Sequence, residues 1–399
     1  MYYKITNEKE NHNGFQYIEG LNILDKPFSP TGSCVAGGLY FTTKEHIHKF
    51  YNYGINIREI TLPETDPDFL MVKDPENDKW RANKIILGKK YSLFDLSTYQ
   101  ILDLDITENV CLIDSASKYG RIGVLEWWVE SGLELQYSRD ALNSASTNNH
   151  VNVFYWWINS KLPLKYNTNA MNMASANGHT NILDCWIESG LKLKYSQGAI
   201  NLASANGHIN VLDWWKNSGL KLEYTNHAID LASINNQINV LNWWKNSGLT
   251  LKYTYNAIDC ASAKGHTNIL EWWKHSGLEL KYTCDTIDQA SVNGHINVLD
   301  WWKNSGLKLN YTCRAIDSAS SNGHINVLYW WKNSGLKLNY TCRAMDSASS
   351  NGHINVLDWW KNSGLKLDYT IDAINRSFFY GNVSVLDWWK NSGLEIGYT

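Results

Sequence analysis

No apolar run in the 399-residue chain is long enough to cross a bilayer, and the start, Met1-Tyr2-Tyr3-Lys4-Ile5-Thr6-Asn7-Glu8, holds no apolar stretch of signal-peptide length. The expectation is a protein that is neither membrane-inserted nor secreted. Cysteine is sparse: seven residues, an odd number with no Cys-x-x-Cys spacing, which points to a reducing compartment and hence the cytoplasm. Charged residues make up only 19% and the net charge is -3, so nothing pulls the chain toward nucleic acid or an anionic membrane. Proline is scarce too, and five of the six prolines lie before residue 107.

Beyond that point one stretch dominates. Thr312 to Tyr340 reads TCRAIDSASSNGHINVLYWWKNSGLKLNY, and it returns every 29 residues in ten copies that begin at Asn109, Ser138, Asn167, Ser196, Thr225, Thr254, Thr283, Thr312, Thr341 and Thr370. A fixed period of this size is the signature of a stacked solenoid. Within one copy, Thr312 suits a helix N-cap, and Ala315, Ile316 and Ala319 share one helical face. Gly323 stops that helix; the two copies without glycine place Asn149 and Asn236 there, the residue that best tolerates a left-handed backbone. A second helix carries Ile325, Val327, Leu328, Trp330 and Trp331 at spacings of three and four, closed by Gly335. The tail Leu336-Lys337-Leu338 is too short for a strand and reads as a tight return to the next cap.

Residues 1–107 differ in kind. They hold 12 of the 36 basic and 15 of the 39 acidic residues, which leaves the repeats neutral at 24 of each. Short strand candidates at Val35–Thr42, Ile55–Leu62, Phe69–Val72 and Asn83–Leu87, with a helix at Glu45–Tyr51, suggest a small α+β domain. Pro63 to Asp78, rich in acids and prolines, reads as an exposed loop.

The run Ala315-Ile316-Asp317-x-Ala319-Ser320-x-x-Gly323-His324, followed by Val327-x-x-Trp330-Trp331-x-x-x-Gly335, resembles the ankyrin repeat over residues 108–399. The leucine pair of that family is Trp-Trp here, and Asp or Asn replaces its TPLH histidine. The period is short against the usual figure of about 33. The missing residues fall where ankyrin proteins project a β-hairpin, so that finger is expected to be clipped. Trp-rich and Asn-rich repeats behind a GGLYFT segment are most similar to ankyrin-repeat proteins of giant DNA viruses of amoebae. The fold class expected is therefore mainly α, an ankyrin-like solenoid of ten helix-turn-helix repeats behind the α+β domain.

Several columns invite a chemical reading. His150, His179, His208, His266, His295, His324 and His353 recur at one position. Packed helices lie roughly 8–10 Å apart, whereas a zinc ion needs ligands at about 2 Å, so the column is read as turn histidines and no metal is expected. Cys284, Cys313 and Cys342 are likewise too widely spaced for disulfides, which need Cα atoms within about 7 Å. The lysine column from Lys216 to Lys390 has acids such as Asp213, Glu271 and Asp300 three residues before it, and reads as a solvated face with weak ion pairs. The Trp pairs occupy the ankyrin Leu-Leu positions and read as core rather than as base-stacking platforms.

These features point to a non-enzymatic interaction scaffold without cofactors: a monomer that binds a protein, one of the host if the chain is viral, through the concave face of the repeats. The partner site is placed at Leu231, Ile234, His227, Tyr255, Asn256 and Val292, where an apolar centre meets a polar rim. Val129, Ile158 and Ile187 stand where later copies have lysine, which suggests docking of the N-terminal domain. Phe378, Phe379 and Tyr380 in the tenth copy are expected to cover the end of the core or meet another chain. Two alternatives stand beside this reading. Gly38-Leu39-Tyr40-Phe41 resembles a segment of ADP-ribosyltransferases, with His12 as a possible partner and no acidic residue placed for the chemistry, which would make the domain a transferase targeted by the repeats. The other is a structural component of the virion.

Overall fold

The computed structural model describes residues 1–134 and 136–395. The chain forms two compact units. The first comprises Met1–Ala174 with Asn181–Tyr195, and the second Ser175–Thr180 with Ser196–Thr399. The division falls within the repeats. The last strand ends at Ser92 and the first helix of the repeats begins at Leu112.

The first unit opens with nine strands: β1 (Tyr2–Thr6), β2 (Asn11–His12), β3 (Phe15–Gln16), β4 (Gly20–Ile23), β5 (Leu39–Thr43), β6 (Asn56–Thr61), β7 (Met71–Lys73), β8 (Trp80–Ala82) and β9 (Lys84–Ser92). Seven of them form one sheet in the order β4-β9-β6-β1-β5-β8-β7, with antiparallel pairing throughout, and β2 and β3 make a separate hairpin. Because side chains alternate along a strand, β1 sends Tyr3 and Ile5 into one core with Ile47, Tyr51 and Tyr99, while a second core gathers Tyr17, Leu39, Phe41 and Leu87. The helix expected at Glu45–Tyr51 forms as a 3-10 helix, Lys44–Tyr53. Arg58, nearly fully buried, is held by a two-pronged pair with Glu10 at 2.8 Å for each prong.

Each repeat is a pair of helices, as copy eight shows with Arg314–Ser321 and Ile325–Asn333. The cap works as the sequence implies, since Thr312 Oγ1 accepts the Arg314 amide at 3.1 Å. Gly323 and Gly335 adopt φ of 76° and 75°, and Asn149 and Asn236 adopt 58° and 62° at the glycine-less stops. Between Gly335 and Thr341 no strand forms, so no β-hairpin is present there.

What locks one copy to the next is a set of bonds repeated along the chain. Asp317 accepts from the Thr341 amide at 2.8 Å and from its hydroxyl at 2.7 Å, and Asp230, Asp259, Asp288 and Asp346 do the same for Thr254, Thr283, Thr312 and Thr370. From the second copy on, the second residue of each pair, Trp157 to Trp389, is sealed in the core and donates its indole N–H to the serine of the preceding copy, as Trp302 does to Ser262 at 3.1 Å, whereas Trp128 of the first copy donates to the Leu133 carbonyl at 3.0 Å. Tyr311 donates to the Lys337 carbonyl at 3.0 Å and lays its ring 4.8 Å from Trp331. This tyrosine occupies the return that the clipped hairpin vacates.

The first Trp of each pair departs from the expectation of core. Most are half-buried on the second-helix face, and Trp359 alone is buried among the described residues, with Tyr329 packed on it at 5.9 Å. Their indoles reach back to the acids once assigned to lysine: Trp243 donates to Asp213 at 2.6 Å, Trp301 to Glu271 at 2.7 Å and Trp330 to Asp300 at 2.6 Å. An indole N–H held one repeat away by packed helices is a better-placed partner than a mobile lysine on the same helix. The rings of Phe378 and Phe379 depart from the first of their two expected roles, covering the end of the core. They are 77% and 80% exposed and do not cover the end of the core, because the helix Asp372–Phe379 turns Ala373 and Ser377 inward instead.

Candidate functional site

In the second unit the first helices are the closely packed layer and the second helices the open one. The cause lies in the side chains. First helices meet through Ala228, Ala232, Ala257 and Ala261, all buried, whereas second helices carry paired indoles.

The residues singled out for partner binding lie in the first-helix layer. His227, Leu231 and Ile234 sit on the helix His227–Ile234, Asn256 begins the helix Asn256–Ala263 with Tyr255 just before it, and Val292 ends the helix Asp285–Val292. His227, Asn256 and Tyr255 are exposed, Tyr255 by 51%, while Leu231, Ile234 and Val292 are half-buried. Leu231 has Cys260 at the same register in the next copy, also half-buried, so the apolar line continues into copy six. The amides of His227 and Asn256 are fixed by Thr225 Oγ1 and Thr254 Oγ1 at 3.3 and 3.2 Å, which gives these side chains rigid bases.

Beneath this face runs the aspartate column, at the position where the ankyrin pattern has a histidine. Burial pushes the carboxyls of Asp259, Asp288, Asp317 and Asp346 above the ordinary range, against the opposing effect of the threonine bonds. The signal available in the sequence was the pairing of an Asp with a Thr 24 residues on, repeated from Asp230–Thr254 to Asp346–Thr370.

The histidine column is structural, though not through turn amides. His295 Nε2 donates to the Ala263 carbonyl at 3.1 Å, and its ring lies against Gly265, where a Cβ would come within 3.0 Å. Of the three apolar residues assigned to interdomain docking, Val129 and Ile187 are 53% and 43% exposed and Ile158 is half-buried. The transferase alternative finds His12 and Gly38–Phe41 on the wall of one cavity of about 520 Å³ in the sheet domain, where Asp25 is the one carboxylate in the lining.

A helix pair with a left-handed stop, keyed to its neighbour every 29 residues by the same bonds, defines a stacked helix-turn-helix repeat protein. No family model matches the chain. An ankyrin repeat protein of Acanthamoeba polyphaga mimivirus is 42% identical over 144 residues, 35% of this chain and 71% of that protein. Two further ankyrin repeat proteins of that virus are 39% and 43% identical over 141 and 122 residues, or 34% and 28% of this chain, and the match spans only 42% and 40% of their own lengths. The ankyrin repeat domain of human ASB11 superposes with a TM-score of 0.36 at 14% identity, over 43% of this chain and 86% of that domain, too distant to support more. The chain belongs to the ankyrin repeat proteins of the kind found in mimivirus. Among the described residues no helix is long and apolar enough to cross a membrane.

Proposed function

We propose that this chain is a non-enzymatic interaction scaffold or adaptor, and that a protein partner docks on the first-helix face of the second unit around Leu231, Tyr255 and Asn256. The observation that carries the reading is the placement of an exposed tyrosine and a half-buried apolar line on the packed layer, edged by His227 and Asn256. Tyrosine is a favoured anchor in interfaces, because it offers much contact area for little entropy loss and one polar tip. The kinship with mimivirus proteins makes a host protein in the cytoplasm the partner to seek, and a monomer is the state in which this face stays open.

The test is capture by the full chain from infected amoebae, quantified by mass spectrometry for wild type, Tyr255→Glu and Asn256→Asp. A protein retained by wild type and lost from both variants, with melting temperatures unchanged, supports the reading. A protein retained equally by all three contradicts it.

A further inference from the structure

The cavity in the sheet domain lies apart from the repeats, and its charges do not balance. Lys4 stands on the central strand β1 and is 7% exposed, yet its Nζ meets only the Tyr40 carbonyl at 2.8 Å and the face of Tyr17 at 4.3 Å. Among the described residues no carboxylate pairs with it. A second ammonium, Lys79, lies over the Tyr40 ring at 4.7 Å and touches the Cys34 sulfur at 2.9 Å. Both lysines line the same cavity of about 520 Å³, large enough for a small organic molecule, while its one carboxylate, Asp25, is exposed. His12 adds a donor rather than a charge. Its Nε2 accepts the Asn7 amide at 3.2 Å, which leaves the proton on Nδ1, and burial followed by the field of Lys4 lowers its pKa to about 4.

A buried lysine without an anion is costly, since the ammonium has left water and gained one carbonyl and a ring in return. Burial, with Lys79 contributing, accordingly brings the Lys4 pKa down to about 7. An anion bound between Lys4 and Lys79 would restore the balance, and the rings of Tyr17, Phe15 and Tyr40 offer walls for a flat body. We infer that this cavity is a binding site for a small, flat organic anion, whose negative group meets Lys4 and Lys79 while its ring lies among the aromatic walls.

Pyridoxal 5'-phosphate is a suitable probe, being a flat ring with a phosphate and an aldehyde. A neighbouring amine attacks the aldehyde carbon and water leaves, giving an imine. Borohydride then delivers hydride to that carbon, and the nitrogen takes a proton from solvent. With the full chain, one-site binding is expected, weakened about tenfold or more by Lys79→Gln and by Lys4→Met. Trapped adducts should map to Lys4 or Lys79 in preference to exposed repeat lysines such as Lys303. Lys4→Met should retain or raise the melting temperature, because it removes a buried unpaired charge. Should that variant fail to fold, Lys79→Gln and the mapping decide. Adducts spread over exposed lysines, equal binding by the variants, or equally tight binding of pyridoxal without its phosphate would each overturn the assignment.

Discussion

Asp317 is one of the points at which copies eight and nine are joined, beside the bond of Trp360 to Ser320, and its removal should loosen them locally. The side chain is 6% exposed and accepts two bonds from Thr341, the amide at 2.8 Å and the hydroxyl at 2.7 Å. In Asp317→Ala both donors lose their partner inside a packed stack, a penalty of about 2 kcal/mol for the pair, or about thirtyfold in the local opening equilibrium. Asp317→Asn should cost less than about 0.5 kcal/mol at neutral pH, because the chain already carries that solution. Asn201 accepts the Thr225 amide at 3.1 Å and donates to its hydroxyl at 2.9 Å, reversing one bond without losing it. The two variants also separate by pH. Burial raises the Asp317 carboxyl above its ordinary value of 3.8, so the folded chain binds this proton more tightly than the unfolded chain does. Stability from this group is then greatest below 3.8 and falls as pH rises through the window between 3.8 and the raised folded value. Wild type should thus gain relative to Asp317→Asn as pH drops through that window. Hydrogen exchange of the amides in the helix Arg343–Ser350, read by mass spectrometry for the full chain, supplies the measurement. The reasoning fails if Asn opens copy nine as readily as Ala, or if wild type and the Asn variant share one pH profile.

Three further predictions rest on other bonds. Trp302→Phe should cost about 1–2 kcal/mol through loss of its bond to the Ser262 hydroxyl, whereas Trp302→Ala should cost about 3–5 kcal/mol, and Ser262→Ala should add little to Trp302→Phe when urea midpoints are compared. Gly265→Ala should destabilise by about 1–2 kcal/mol, since φ is +80° and the new Cβ would press on the His295 ring at 3.0 Å; a melting temperature equal to wild type would refute this. Phe379→Ser, at a ring 80% exposed, should change stability by less than about 0.5 kcal/mol, and a larger loss would show the ring to be covered in solution.

The repeats were legible because every copy restates the same physical demands. A cap, a left-handed stop and an apolar spacing of three and four leave little choice of fold, and the stops at Asn149 and Asn236 show the rule through its exceptions. Less legible were contacts between copies. Asp317 and Thr341 lie 24 residues apart, and no local periodicity says that a helix interior will cap its neighbour. The same gap explains the tryptophans: spacing put both indoles on an apolar face, but only the contact with the preceding copy decides which is sealed. In the sheet domain β5, β6, β7 and β9 overlap the strand candidates, whereas the central strand β1 carries Lys4 at a buried position and gave no apolar alternation to read. The candidate partner site was found through variation on a repeated background, which works only where a repeat supplies the background. The charge imbalance of the cavity has no counterpart along the chain, since Lys4 and Lys79 meet only through the pairing of β1, β5 and β8.

The central claim, that a protein partner is held on the first-helix face, is tested most directly by site-specific photo-crosslinking of the full chain in infected cells. A photoreactive residue at Tyr255 on that face is compared with one at Lys274, exposed on a second helix. The account predicts a discrete protein adduct from position 255 and none from 274. An adduct from 274 with none from 255 would place the partner on the opposite layer and contradict it.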